Sequence, residues 1–212
     1  MTRILHILDH SLPLHSGYTF RTRAILRAQE ALGWEVRGLT GQRHSADGPA
    51  VETVDGLTFF RTMAPRRGGP PLVRELREVE DLAHAMEGVI RGWRPDIIHA
   101  HSPVLNAMAA QRVARKYGIP MLYEIRAFWE DAAVSNGTAR EGGLQYRLTH
   151  WLETRAVKRA DAVAVICEGL KGDLVGRGVD PAKIMVSPNG VDMDMFGDPV
   201  PPDAALRAKL GL

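Results

Sequence analysis

The stretch RILHILDHSLPLHSGYTFRT, residues 3–22, decides the fold. Its first six residues form a short run dominated by apolar side chains, the pattern of a strand buried on both faces of a parallel sheet. Asp9 closes the run and Gly17 lies in the loop that follows. A helix-period stretch over residues 19–32, with Ile25, Ala28, Ala31 and Leu32 as its apolar positions, then stops at Gly33. Strand, glycine-bearing loop and helix, in that order, can hold a phosphate at a helix N-terminus. This is not a dinucleotide fingerprint. The loop lacks G-x-G-x-x-G, and the next strand-like run, WEVRGLT over residues 34–40, leads into Gly41-Gln42 with no acidic residue to take a ribose hydroxyl.

Outward from this unit, strands and helices alternate. VETVDGLTFFRT, residues 51–62, sets Asp55-Gly56 between two strand-like runs, a hairpin signal. Leu72, Leu76, Val79, Ala83, Met86, Ile90 and Trp93 recur at steps of four and three, one apolar stripe of a long helix. RPDIIHAH (94–101) reads as a strand, with Ser102 as N-cap and Pro103 as first residue of the next helix. IPMLYEI (119–125) is a strand. A helix over roughly 143–160, a strand over 161–167, a short helix from 168 and the strand KIMVS (183–187) complete the pattern. The fold class this predicts is α/β: a Rossmann-like, doubly wound, mainly parallel sheet with helices on both faces. Residues 1–188 make that domain. Residues 189–212 read as a linker and the start of a further domain, with the expectation that the chain is cut near a domain boundary.

Hydrophobic residues at 45% and charged residues at 25% are ordinary globular values. The 27 basic and 25 acidic residues, net +2, are dispersed, which excludes a clustered nucleic-acid surface. Cys167, the single cysteine, is expected to be a small buried hydrophobe in a reducing compartment. With no apolar run of about 18 residues and no signal-peptide core, the expected location is cytoplasmic. Arg66, Arg67, Arg74 and Arg77 would permit a peripheral contact with the inner face of a membrane. Glu75 and Glu78 between them favour a solvated face instead.

In an open parallel sheet ligands bind beyond the carboxyl ends of the strands, which selects the candidate residues. Ser16 and Gly17 precede a helix N-terminus that favours an anion. Arg21, a cation at the wrong end of the dipole, either shares that anion or points into solvent. His99 and His101 share a strand face, but two histidines are too few for a metal, so His101 is read as a hydrogen-bond donor and His99 as a core residue. YEIRAFWED, residues 123–131, concentrates Glu124, Arg126, Trp129, Glu130 and Asp131 after a strand. That cluster suits a sugar or, alternatively, an internal ion pair with the tryptophan as lid. Asp192-Met193-Asp194 has the form of a cation-holding acidic pair, set in a linker.

The segments ILHILDHSLPLHSGYTFRTRAIL, PDIIHAHSP, YEIRAFWED and PNGVDMDMF, in that order, resemble the amino-terminal half of retaining GT-B glycosyltransferases of family 4, especially the exosortase-associated (PEP-CTERM system) members. The resemblance implies an acceptor-side domain facing a second, donor-binding domain that carries the family's paired glutamates (E-x7-E) and would lie outside this chain. It implies a nucleotide-sugar donor, a glycan or lipid-linked acceptor, and no metal or other cofactor. Ser16, Gly17 and Arg21 would then approach the donor phosphate. His15, Tyr18, His101, Arg126 and Glu130 would orient the acceptor, while Asn189, Gly190 and Asp192 would mark the crossing to the second domain. Many relatives carry a histidine where this chain has Arg126. An arginine cannot act as a base, so stabilisation of charge is its expected role. A stand-alone flavodoxin-like module that binds a phosphorylated small molecule is the alternative.

Overall fold

A computed structural model describes residues 1–65, 68–138, 140–191 and 201–211. Its sheet has eight strands in the order β3-β4-β2-β1-β5-β6-β7-β8. They are β1 (Arg3–Leu8), β2 (Glu35–Thr40), β3 (Val51–Val54), β4 (Leu57–Arg61), β5 (Ile97–His101), β6 (Met121–Ile125), β7 (Ala162–Val165) and β8 (Ile184–Val186). All neighbours pair in parallel except β3, which turns back on β4. Asp55 and Gly56, with φ of 52° and 71°, make that turn, as the hairpin signal predicts. The helices are α1 (Gly17–Ala31), α2 (Pro71–Gly92), α3 (Val104–Tyr117), α4 (Trp129–Ser135), α5 (Leu144–Arg159), α6 (Glu168–Gly176) and α7 (Ala204–Leu210). The α/β, doubly wound class predicted from the sequence is the observed one.

β1 sits at the centre because residues 4–8 are buried without a break, and only an inner strand covered on both faces can bury every side chain. Leu5 and Ile7 join the larger core with Met86, Ile98 and Val113, under α2, α3 and α5. Ile4 and Leu8 face the other way, with Leu26, Val36, Leu57 and Phe59 under α1. From β1 the chain winds outward through β2 in one direction and through β5 in the other. The carboxyl ends of β1 and β5 therefore bound the topological switch point of the sheet, where such folds open a crevice.

Four local expectations are corrected. The buried face of α1 is Thr19, Thr22 and Leu26, while Ala28, Ala31 and Leu32 are exposed. Polar groups as well as apolar ones meet this helix, His6 at Gln29 and Arg126 at Thr22, so its inner stripe is not the apolar one. Ser102 does not cap α3: Pro103 holds that position, with no side-chain cap. The apolar stripe of α2 is buried only from Val79 onward; Leu72 and Leu76 are exposed. Cys167 is exposed, because β7 ends at Val165 and the chain has already turned toward α6.

The core contains a carboxyl whose neutral form is favoured by burial. Glu153, on the inner face of α5, is buried and accepts a hydrogen bond from Tyr123 Oη at 2.6 Å, while its Oε2 has no partner among the described residues. Burial pushes its pKa up to about 7, against the Tyr123 hydrogen bond and with the Glu130 charge adding to the rise. The folded chain thus binds this proton more tightly than the unfolded one. The resulting penalty is absent below pH 4.5, grows up to about pH 7 and is constant above it. Glu153→Gln is expected to raise stability above pH 7 by up to about 3 kcal/mol and to match the parent chain toward pH 4.5. Melting temperatures across that range check it, and a difference independent of pH contradicts it.

Candidate functional site

On the α1 side, the carboxyl ends of the three inner strands present His6 from β1, His99 and His101 from β5, and Glu124 from β6, all buried. Glu124 is the hub. Its Oε1 accepts from Arg21 Nε at 2.9 Å and from Arg126 Nε at 3.1 Å. Its Oε2 lies 3.1 Å from His99 Nε2, off-line for a hydrogen bond, and 3.5 Å from His101 Nδ1. Burial by itself would raise this carboxyl. The surrounding histidines and the Arg126 charge instead hold it well below the usual carboxylate range.

Both arginines bond within the chain. Beyond Glu124, Arg21 donates to Pro188 O and Asn189 Oδ1, each at 3.0 Å, and to Ser187 O at 2.8 Å. These bonds place it between α1 and the segment after β8. Its position at the positive end of the helix is made tolerable by the ionised Glu124. Arg126 donates to Tyr18 O at 2.9 Å, Thr22 Oγ1 at 3.0 Å and His101 Nδ1 at 2.9 Å, and its guanidinium carbon lies 4.2 Å from the Tyr18 ring centre. These bonds tie Arg126 to the first turn of α1.

His6 supplies the third histidine that the paired residues of β5 lacked. The nitrogens of His6, His99 and His101 come within 4.8 Å of one another, the spacing from which a metal site could be assembled. The hydrogen bonds argue for a different use. Arg126 can only donate, so His101 Nδ1 accepts and His101 Nε2 carries the proton. That N–H donates to His6 Nδ1 at 2.9 Å, and His6 Nε2–H donates to Gln29 Oε1 at 2.8 Å. A cation would have to displace this relay beside two guanidinium groups. Burial, with His99 adding to it, lowers His6 to about 3, so the relay is neutral. His101 is buried, with both nitrogens engaged inside the chain.

The outer rim is different. Ser16 caps α1, its Oγ accepting from Thr19 N at 3.1 Å. His10 Nε2 stands 2.7 Å from the same oxygen, and His10 Nδ1 stands 3.0 Å from Asp9 Oδ2, which makes an Asp9–His10–Ser16 chain. The connectivity is that of a nucleophile with its base, but the hydroxyl is pinned to the helix end, so what it offers is a fixed hydrogen bond there. Tyr18 stacks on His10 and accepts from Asp9 N–H through its hydroxyl at 3.1 Å. His15 and Gly17 are exposed. The backbone N–H groups of Gly17 and Tyr18 have no acceptor among the described residues. A Cβ on Gly17 would meet nothing within 4 Å, and its φ lies outside the left-handed region.

Glu130 is not at the rim. It is buried and paired with Arg177 at 2.9 Å, whose guanidinium covers Phe128, so the internal ion pair is the observed arrangement. Trp129 remains exposed, near Arg43. Asn189 and Gly190 are exposed beside α1, and Asp192 and Asp194 lie outside the described residues. Sequence reasoning missed His6 and His10. For His6 a signal existed, a histidine within an apolar inner strand beside a second strand with two.

Residues 16–190 match the glycosyl transferase 4-like domain. The D-inositol 3-phosphate glycosyltransferase of Xylanimonas cellulosilytica is 31% identical over 99% of this chain and 53% of its own length. The chain thus spans about half of that relative. Among solved structures, sucrose-phosphate synthase from Thermosynechococcus elongatus superposes with a TM-score of 0.71 at 19% identity, over all of this chain and 53% of that one. Anabaena Alr3699/HepE in complex with UDP and glucose gives 0.60 at 15% identity, over all of this chain and 50% of that one. With the match running from the Ser16 cap through the first turn after β8, the chain belongs to the glycosyl transferase 4-like domain family, in the GT-B fold.

Proposed function

We propose that this chain is the acceptor-side half of a retaining glycosyltransferase that moves a sugar from a nucleotide-sugar to a glycan or lipid-linked acceptor. The observation that carries the reading is the open N-terminus of α1 at the switch point, with two unpaired N–H groups and space over Gly17. Neither packing nor backbone conformation requires glycine there, whereas close approach of a diphosphate does. The relatives named above transfer or bind sugars, and HepE holds UDP and glucose in its own structure. The first and third resemblance segments favour the exosortase-associated branch.

When a sugar–diphosphate bond breaks, negative charge grows on the departing phosphate. Donors already aimed at that position lower the barrier because they need no reorganisation. Gly17 N–H, Tyr18 N–H and the α1 dipole supply such donors, with Ser16 held by His10 beside them. The inner cluster keeps this turn in place through Arg126 and its hydrogen bond to Tyr18 O. His15 and Trp129, both exposed, are the groups free to meet an acceptor. Paired glutamates and the nucleotide site belong to a second lobe, and the phosphate charge is met without a metal. The anomeric configuration is kept.

In the complete gene product, Gly17→Val is expected to lower turnover by about 100-fold or more, because its side chain holds the phosphate away from N–H donors of that worth, without moving the melting temperature. Unchanged turnover contradicts the proposal. By titration calorimetry, residues 1–212 alone are expected to bind nucleotide-sugars weakly and to show no transfer. Tight binding of a phosphorylated small molecule by this chain alone favours the stand-alone module instead.

A further inference from the structure

The outward face of α5 is built unlike that of a solvated helix. Leu144, Leu148, Trp151 and Arg155 follow one another at steps of four, three and four, opposite the buried Glu153, Ala156 and Val157. Leu144 is 87% exposed, Leu148 43% and Trp151 55%, so a surface helix has kept its apolar residues outside. Basic residues flank this stripe: Arg147, Lys158 and Arg159 are all exposed, as is Arg155 within it. Its single carboxylate, Glu153, is on the inner face. None of these cations forms an ion pair among the described residues. Arg155 lies against the Trp151 ring instead, at 5.4 Å.

The charge continues past the helix. Arg115 of α3 and Arg155 stand close enough to Arg159 to repel its charge. Arg115 and Arg159 line a cavity of about 440 Å³ at the amino edge of the sheet, together with Gln111, Gly118 and Asp161, whose carboxylate accepts from Met121 N. A basic cluster whose arginines form no ion pair among the described residues, at the end of an apolar, tryptophan-bearing stripe, has one natural complement: a surface with anionic groups above and hydrocarbon beneath.

We propose that α5 docks this chain on an anionic lipid bilayer. The helix lies along the interface, Leu144, Leu148 and Trp151 enter the headgroup boundary, and Arg147, Arg155, Lys158 and Arg159 meet lipid phosphates. The start of α2 also exposes Leu72, Val73 and Leu76, but Glu75, Glu78 and Glu80 interrupt that face, so α5 is the docking element. The proposal is independent of the transfer chemistry.

Co-sedimentation of the 212-residue chain with vesicles tests it. The chain is expected to bind phosphatidylcholine vesicles that contain phosphatidylglycerol, to release them as salt is raised, and to bind pure phosphatidylcholine far more weakly. Leu148→Ser with Trp151→Ser, and separately Arg155→Glu with Arg159→Glu, should each lower partitioning about tenfold or more at an unchanged melting temperature. Leu72→Ser with Leu76→Ser should leave it intact. Failure of the parent chain to bind phosphatidylglycerol vesicles, equal binding by the α5 variants, or loss of binding only in the α2 variant overturns the proposal. So does a dimer in solution that the α5 substitutions dissolve, since the face would then belong to a second copy.

Discussion

A carboxylate that is 2% exposed cannot remain ionised unless charges and donors are brought to it, and Glu124 sets that requirement for the whole carboxyl edge of the sheet. Its partners come from separate parts of the chain. Arg21 is on α1, His99 and His101 are on β5, and Arg126 stands just beyond β6 itself. Arg21 in turn holds Ser187, Pro188 and Asn189 after β8. The cost of burying the charge is met only when all of these elements are in place, so one side chain enforces the assembly of the crevice between β1 and β5.

The site has two layers with different chemistry. The inner layer is tied together: Arg21 and Arg126 meet on Glu124, Arg126 meets His101, and the neutral relay runs through His6 to Gln29. These bonds hold α1, β1, β5 and β6 in position around it. The outer layer is the first turn of α1, which Arg126 grips through Tyr18 O and Thr22 Oγ1. There the helix end stays open, with Gly17 giving room and Ser16 fixed by His10 and Asp9. Rigid support below an unsatisfied helix N-terminus is the condition for electrostatic preorganisation.

The fold was legible where the signal is local. The unbroken apolar run of β1, the Asp55-Gly56 turn and the α2 stripe from Val79 onward each depend on residues close in the chain. The crevice location followed from the strand order implied by alternation. The roles of the charged residues were not legible, because their partners are remote: Arg21 and Glu124 are 103 positions apart, and Arg126 and Tyr18 are 108 apart. Glu130 looked like a rim residue only because Arg177 could not be placed beside it. The α1 stripe was misread for a related reason: the sheet face it covers sets His6 and Glu124 beside Ile4 and Leu8, and helix periodicity says nothing about the composition of the opposing surface. Period analysis likewise could not tell the inner face of α5 from its outer one.

A double-mutant cycle on Arg21 and Glu124 bears most directly on the claim that their ion pair assembles the carboxyl edge. Arg21→Gln, Glu124→Gln and the double variant would be compared by denaturant unfolding at neutral pH. The account predicts that removing either partner costs about 3 kcal/mol, because it leaves a buried charge undercompensated, and that the double variant costs little more than one single change. Two independent losses that simply add would contradict it.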